Sequence, residues 1–174
     1  MAEAKAFDPT DCCVIILTWD AIPQRCGMVQ FNTIPYLEDR GIPRANIHSV
    51  CLRWIPVARN WAIKNVGLTS GKRHIVMIDN DMPIDGKANP FWEATDDVVV
   101  CMAGTAERWS FANAFHSGMF RADRRVFEDI EPPWFDLPAS ADGTVQTDCT
   151  CGYFRDKAVA ASFSITHAGW CAHP

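Results

Sequence analysis

Short unbroken runs of apolar residues, many of them β-branched, recur along this chain with more polar stretches between them. A strand that is covered on both faces lacks the alternation of polar and apolar residues seen in a half-exposed strand, so such runs predict buried strands of a parallel sheet. The predicted strands are 12–18, 47–52, 75–78, 98–102, 116–121 and 161–166.

The stretches between the runs predict helices. Residues 57–68 are the clearest case, because their apolar residues lie close to one helical stripe, Pro56 suits the first turn and Gly71 can follow the last. Other helices are predicted at 28–40, 126–130 and 144–157, with a short helical turn at 91–94. This alternation predicts an α/β fold with a largely parallel central sheet flanked by helices.

Length and charge limit the kind of protein. The 174 residues are 48% hydrophobic, which suits one filled core. We predict a flexible N-terminal tail at 1–11 and a single domain at 12–174. With 16 basic and 21 acidic residues, the net charge of -5 argues against a general nucleic-acid surface, because phosphate binding relies on clustered Lys and Arg.

The pattern also bears on location and on the state of the cysteines. No apolar run approaches the ~18 residues needed to cross a bilayer, and the first residues lack the apolar core of a signal peptide, so we predict a cytoplasmic protein without a transmembrane segment. Of the eight cysteines, Cys12 and Cys13 are adjacent, while Cys51 and Cys101 lie in apolar runs. Reduced cysteine acts there as a small hydrophobe, and we predict free thiols.

The third apolar run ends abruptly in acid, at Asp79 and Asp81. Open α/β sheets place ligands at the carboxyl ends of their strands, and two carboxylates there suit a hard cation such as Mg²⁺ or Mn²⁺. Asp20, which follows the first run, and Arg59, in the clearest helix, can face the same cleft. The alternative is that the two aspartates only cap a turn, which is a common use of Asp and Asn.

Several separated segments match one family pattern in order and spacing. They are Pro56-Val57-Ala58-Arg59-Asn60, Ile75 to Asp81, Ser117 to Arg121 with Val126-Phe127, Pro133-Trp134-Phe135, Thr147-Asp148, and Thr166-His167-Ala168-Gly169. On these segments the chain resembles the GT-A type nucleotide-sugar glycosyltransferases over most residues from Val14 onward. The resemblance implies a GT-A-like fold with a Rossmann-like nucleotide-binding half. One departure is that Gln146-Thr147-Asp148 lacks the acidic neighbour that commonly precedes the Asp.

The resemblance also implies a role for each matched polar residue. Asp79 and Asp81 would hold Mn²⁺ or Mg²⁺ against the diphosphate of a nucleotide sugar, with His167 as a third protein ligand. Asp148 would be the general base, and Arg59 would pair with a phosphate or hold an aspartate in place. The implied nucleotide-binding residues are Asp20, Arg59, Asn60 and Asp79. The implied activity is metal-dependent transfer of a hexose from a nucleoside-diphosphate sugar to an acceptor hydroxyl.

Two other interpretations stay open at this point. One is a GT-A-like protein that binds a nucleotide without catalysis. The other is a zinc-stabilised binding module, because thiol and imidazole groups lie close together in the sequence at Cys149, Cys151, His167, Cys171 and His173. Their spacing is poor for zinc, since Cys-x-Cys lacks the usual two-residue gap. Asp148 equally suits a helix cap, and Arg59 a surface ion pair.

Overall fold

The structure is a computed structural model, and it describes residues 6–18, 32–52, 54–103, 118–141 and 150–171. One sheet contains all the strands of these residues. They are β1 (Cys12–Thr18), β2 (Ile47–Cys51), β3 (His74–Asp79), β4 (Val98–Ala103), β5 (Met119–Asp123) and β6 (Ile165–Cys171).

The strand order in the sheet is β2-β1-β3-β5-β4-β6. β5 runs antiparallel to both of its neighbours, whereas the other neighbouring pairs are parallel. The predicted largely parallel sheet is therefore confirmed, with β5 as the one reversed strand of the described part. The carboxyl ends of the other five strands, together with the amino end of β5, meet at the same edge of the sheet.

Five helices cover the sheet within the described ranges. They are α1 (32–39), α2 (Ile55–Ala62), α3 (Asn89–Glu93), α4 (Arg124–Asp129) and α5 (Thr150–Ala160). The helical path of α2 continues through Ile63–Gly67 and Leu68–Ser70, and Gly71 ends it with a left-handed φ of 70°. This confirms the predicted helix at 57–68 and its glycine cap. None of the described helices has the length and apolar content to cross a membrane.

The core consists of two apolar layers, one on each face of the sheet. Ile75 and Met77 of β3 lie in the layer that contains residues of α2, α4 and α5. Val76 and Ile78, which alternate with them, lie in the layer that contains residues of α1 and α3. Because successive side chains of a strand point to opposite faces, a strand covered on both sides must be apolar throughout. The unbroken apolar runs therefore predicted these buried strands correctly.

Part of the predicted flexible tail is packed against the sheet. Asp8 caps a short 3₁₀ helix at Pro9–Asp11, accepting a hydrogen bond from the backbone N of Thr10 at 2.8 Å. The Phe7 ring lies 5.3 Å from the rings of His74 and of Trp92. The apolar Phe7, in a polar stretch of the sequence, therefore packs against one face of the core.

The last strand begins later than predicted. Residues 161–164 complete the end of α5, where Ser162 has a left-handed φ of 64° and Phe163 N donates to Ala158 O at 3.0 Å. β6 therefore spans Ile165–Cys171 rather than 161–166, and His167 lies inside the strand instead of after it. The described cysteines are all free thiols, as predicted.

Candidate active site at the carboxyl edge of the sheet

Asp79 and Asp81 lie at the edge where the parallel strands end. Asp79 is the last residue of β3, and its backbone N donates to Gly118 O at 2.6 Å; the next residue, Asn80, donates from its backbone N to Leu17 O at 3.0 Å. Hydrogen bonds to Leu17 of β1 and to Gly118, the residue before β5, therefore anchor the acidic turn. The Asp79 side chain is 15% exposed, and Asp81 is exposed. The two carboxylates occupy the position predicted for a ligand site.

Arg59 of α2 is buried, and its guanidinium lies at this edge of the sheet. Its side chain is 3% exposed, and Nη2 donates to Oδ1 and Oδ2 of Asp79 at 3.1 and 2.8 Å. Nη1 donates to Thr150 Oγ1 at 3.2 Å, and the guanidinium lies 5.4 Å from the centre of the Phe135 ring. Of the two roles considered for Arg59, holding an aspartate in place is the one visible here; phosphate binding stays a prediction.

Asn60, the next residue, binds a distant turn. Its Oδ1 accepts from the backbone N of Trp134 at 2.9 Å and of Phe135 at 3.0 Å, and its Nδ2 donates to Phe135 O at 2.7 Å. The Phe135 ring in turn stacks on Phe154 of α5 at 4.9 Å. The described polar contacts of Asn60 are thus to the protein backbone, and its predicted role in nucleotide binding is not tested by them.

Asn80, between the two aspartates, is a site residue that the sequence analysis did not single out. Its side chain is 2% exposed, and within the described chain its Nδ2 has no hydrogen-bond acceptor. Leaving a buried polar group without a partner costs about 1–3 kcal/mol, so a bound water or ligand atom at this position would lower that cost. No local pattern in the sequence distinguishes this amide from an ordinary turn residue between two aspartates.

The donor set at this edge suits a hard divalent cation that is shared with a phosphate ligand. Carboxylate oxygens are the ligands such cations prefer, and Mg²⁺ commonly uses one or two carboxylates together with phosphates of the substrate. Among the described residues, no three His, Cys, Asp or Glu side chains are grouped as a metal site. The carboxylates of Asp79 and Asp81 fit the kind of site in which one or two carboxylates and the phosphates of a ligand share the cation.

His167 is not brought next to the two aspartates. It is exposed in β6 and pairs with Val100 of β4, which pairs with Phe120 of β5, which pairs with Met77 of β3. Three strand spacings of about 4.8 Å place it ~14 Å across the sheet from Met77. No three-ligand group of Asp79, Asp81 and His167 is therefore assembled in the described structure, and a metal role for His167 is still only a prediction.

The remaining predicted site residues lie outside the described ranges. Asp20 follows β1 in the sequence, and Asp148 precedes the first described residue of α5, Thr150, by two positions. Their roles in nucleoside contact and as general base stay predictions. Thr150 itself is 6% exposed and was not among the predicted site residues.

The described part of the predicted zinc set is dispersed. His167 and Cys171 lie four residues apart in β6, which corresponds to about 13 Å along a strand. The Cys171 Sγ is buried 3.1 Å from Cys101 Sγ and 3.4 Å from Met119 Sδ, while Cys151 lies in α5. The three described members, His167, Cys171 and Cys151, are therefore not grouped around a single point as one zinc ion requires, and Cys149 and His173 lie outside the described residues.

Comparison with known proteins identifies the fold. No protein-family model matches the chain, and no curated protein sequence matches it. Among solved structures, the mannosyltransferase PcManGT from Pyrobaculum calidifontis, in complex with GDP-Man and Mn²⁺, superposes with a TM-score of 0.55 at 15% identity, covering 97% of this chain and 59% of that one. A197 from STIV gives 0.53 at 16% identity, covering 92% and 80%.

A protein provisionally assigned as a nucleotide-diphospho-sugar transferase from Desulfovibrio desulfuricans G20 gives a TM-score of 0.52 at 10% identity, covering 95% of this chain and 82% of that one. The six-stranded sheet with its helices is thus the GT-A-like fold found in nucleotide-sugar glycosyltransferases. The resemblance stated from the sequence is confirmed at the level of the fold. The chain spans 59% of the length of the mannosyltransferase.

Proposed function

We propose that this protein is a metal-dependent glycosyltransferase that moves a sugar from a nucleoside-diphosphate sugar to an acceptor hydroxyl. The observation that carries the proposal is the acidic turn of Asp79 and Asp81 at the carboxyl edge of a GT-A-like sheet, with Asp79 held by the buried Arg59. Fold alone does not establish an activity, so the proposal rests on this site. The complex of the similar mannosyltransferase makes GDP-mannose with Mn²⁺ the first donor to test.

Each residue has a distinct task in this proposal. Asp79 and Asp81 would hold Mn²⁺ or Mg²⁺, and the bound cation would supply positive charge opposite the negative charge that grows on the departing nucleoside diphosphate. Arg59 keeps the Asp79 carboxylate in one orientation, because its Nη2 donates hydrogen bonds to both Oδ1 and Oδ2. A fixed carboxylate loses little further freedom when the ligand binds, which favours affinity. Asp148 is the proposed base that accepts the acceptor hydroxyl proton, a task typically worth about 10²- to 10⁴-fold in rate.

The test measures binding of GDP-mannose, GDP and UDP by calorimetry with and without Mn²⁺, together with transfer and hydrolysis of GDP-mannose, in the natural protein and in Asp81→Ala. Asp81 is exposed, so the substitution leaves the core intact. We expect it to weaken the metal-dependent binding by about 10-fold or more, because a charged ligand is removed from the metal.

The matched control is Asp129→Ala. Asp129 is an exposed residue of α4, the helix that follows the far end of β5, where Asp123 pairs with His74 at the opposite edge of the sheet. Its removal should leave nucleotide binding unchanged. Equal metal-dependent affinity in Asp81→Ala and Asp129→Ala would overturn the metal role. If a donor binds but is neither transferred nor hydrolysed, the protein binds a nucleotide without catalysis.

A further inference from the structure

Three sulfur atoms meet inside the apolar layer that contains residues of α1 and α3. The Cys171 Sγ lies 3.1 Å from the Cys101 Sγ and 3.4 Å from the Met119 Sδ. All three side chains are fully buried in this layer. The acidic turn offers carboxylate oxygens, whereas this sulfur cluster of Cys101, Met119 and Cys171 offers thiol and thioether groups. The two groups of residues therefore suit different ligands.

Three neighbouring strands supply the sulfur cluster. β4 lies between β5 and β6 in the sheet. The antiparallel register of β4 and β5, continued by one residue, places Met119 beside Cys101. On the other side of β4, Cys171 of β6 pairs with Ala103, two residues beyond Cys101. The backbone pairing of the sheet therefore brings the three sulfurs to one place.

The diagonal offset of the two cysteines disfavours a disulfide. A strand spacing of about 4.8 Å and two residues of ~3.3 Å each put their Cα atoms about 8 Å apart. Disulfides usually need a Cα separation of roughly 4.4–6.8 Å. A bound cation suits a wider pair, because metal–thiolate bonds of about 2.3 Å in a trigonal site place the sulfurs ~4 Å from one another. Small side-chain rotations that lengthen the present distance of 3.1 Å between Cys101 and Cys171 reach that geometry.

The chemistry of the donors selects the cation. Thiolate and thioether sulfurs are soft ligands that bind Cu⁺, whereas Mg²⁺ and Mn²⁺ prefer oxygen. Structural zinc takes four ligands in a tetrahedron. Within the described chain, no His, Asp, Glu or further Cys joins Cys101 and Cys171 as a group of three. Two cysteines with Met119 are thus a donor set for a soft cation of low coordination number.

We propose that Cys101, Met119 and Cys171 form a binding site for one Cu⁺ ion. Each coordinating thiol releases its proton to solvent, a Cu–S bond replaces the S–H bond, and the Met119 thioether donates a lone pair, so copper stays Cu⁺ throughout. β6 is the outer strand of the described sheet and ends at Cys171, so the ion can enter where a strand end opens. The inference is independent of the proposed sugar transfer.

The test is a titration of the reduced natural protein with Cu⁺ in the absence of oxygen. Bicinchoninate competes for the ion, and its coloured Cu⁺ complex loses absorbance as the protein takes up copper. We expect one tightly bound Cu⁺ per chain. Cys101→Ala and Cys171→Ala should each weaken binding by about 100-fold or more, because a thiolate is lost. Met119→Leu keeps the volume of the core and should weaken binding by about 10-fold.

The matched control is Cys51→Ser, which removes an exposed thiol of β2. Its affinity for Cu⁺ should stay within about 3-fold of the natural protein, because distant sites act independently. If Cys51→Ser lost as much affinity as the cluster variants, copper would be held by accessible thiols and the proposal would be overturned. Unchanged binding in Met119→Leu would overturn the three-sulfur site. This variant also keeps the test valid should the alanine variants fail to fold.

Two further measurements report the bound ion directly. X-ray absorption should find three sulfur neighbours at about 2.3 Å in the natural protein and two in Met119→Leu. With free Cu⁺ buffered at about 100 times Kd, Tm should rise by roughly 5–10 °C. Nitrogen or oxygen neighbours around copper, displacement of Cu⁺ by an equal concentration of Zn²⁺, or a Cys101–Cys171 disulfide in protein handled in air would each overturn the assignment.

Discussion

The hydrogen bonds of Asn60 allow a quantitative test of how the site is supported. Asn60→Ala removes one acceptor shared by two backbone N–H groups, at Trp134 and Phe135, and one donor to the Phe135 carbonyl. Each net hydrogen bond contributes about 0.5–1.5 kcal/mol to stability. Because Asn60 is only half-buried, water can partly replace the lost contacts, and we expect a loss of about 2 kcal/mol in the free energy of unfolding.

The measurement is urea unfolding followed by fluorescence, with thermal unfolding as a second readout. For a protein of this size, ~1 kcal/mol shifts Tm by about 2–4 °C, so the expected loss corresponds to roughly 4–8 °C. Asn60→Asp should fall between the natural protein and Asn60→Ala. It keeps the oxygen that accepts from both N–H groups, but it loses the donor and places a carboxylate against the Phe135 carbonyl oxygen.

The control is Asn65→Ala, in the same helical stretch. The Asn65 side chain makes one exposed hydrogen bond, from Nδ2 to Trp61 O at 2.9 Å. Exposed side-chain bonds contribute little, and alanine is the better helix former, so stability should change by less than about 0.5 kcal/mol. If Asn60→Ala were no more destabilising than Asn65→Ala, the view of Asn60 as the support of the 134–135 turn would be refuted.

Two further predictions concern stability alone. The pKa of His74 is lowered from 6.5 to about 4, first by burial and then by the charge of Arg121. The unfolded chain therefore binds a proton on this imidazole more readily than the folded chain does. The free energy of unfolding should fall by up to about 3 kcal/mol as the pH drops from 6.5 to 4. Urea midpoints across this window should lose that dependence in His74→Gln, and an unchanged slope would contradict the assignment. Gly169→Ala should lower Tm clearly, because φ is 78° and the new Cβ would lie 3.1 Å from Ala88 backbone atoms. Gly86→Ala is the control, because its new Cβ would meet no atom within 4 Å, and its Tm should stay unchanged. Equal Tm values in the two variants would contradict the close contact between residue 169 and Ala88.

Local patterns in the sequence predicted those parts of the fold that depend on neighbouring residues. The apolar run before Asp79 predicted a strand buried on both faces and an acidic turn at its end, and both are present. Gly71 was correctly predicted as the cap of the helix that begins near Pro56. These features arise from side-chain alternation and backbone sterics, which act within a few residues.

The contacts that the sequence could not predict are long-range ones. Asn60 binds a turn 75 residues away, and Arg59 binds Thr150 across 91 residues. Nothing in the local composition of either partner identifies the other. The reversed direction of β5 is of the same kind, because an apolar run is equally compatible with both directions once the strand is covered on both faces.

The reversal of β5 has a consequence for how this fold can diversify. Since β4 runs towards the edge that carries Asp79 and β5 starts from it, Ala103 and Gly118 both lie at that edge. The described chain therefore leaves β4 at Ala103 and enters β5 after Gly118 at one edge of the sheet. A designed sequence that joins these two points would start and end at the edge that carries Asp79, while the registers of β4 and β5 stay as they are.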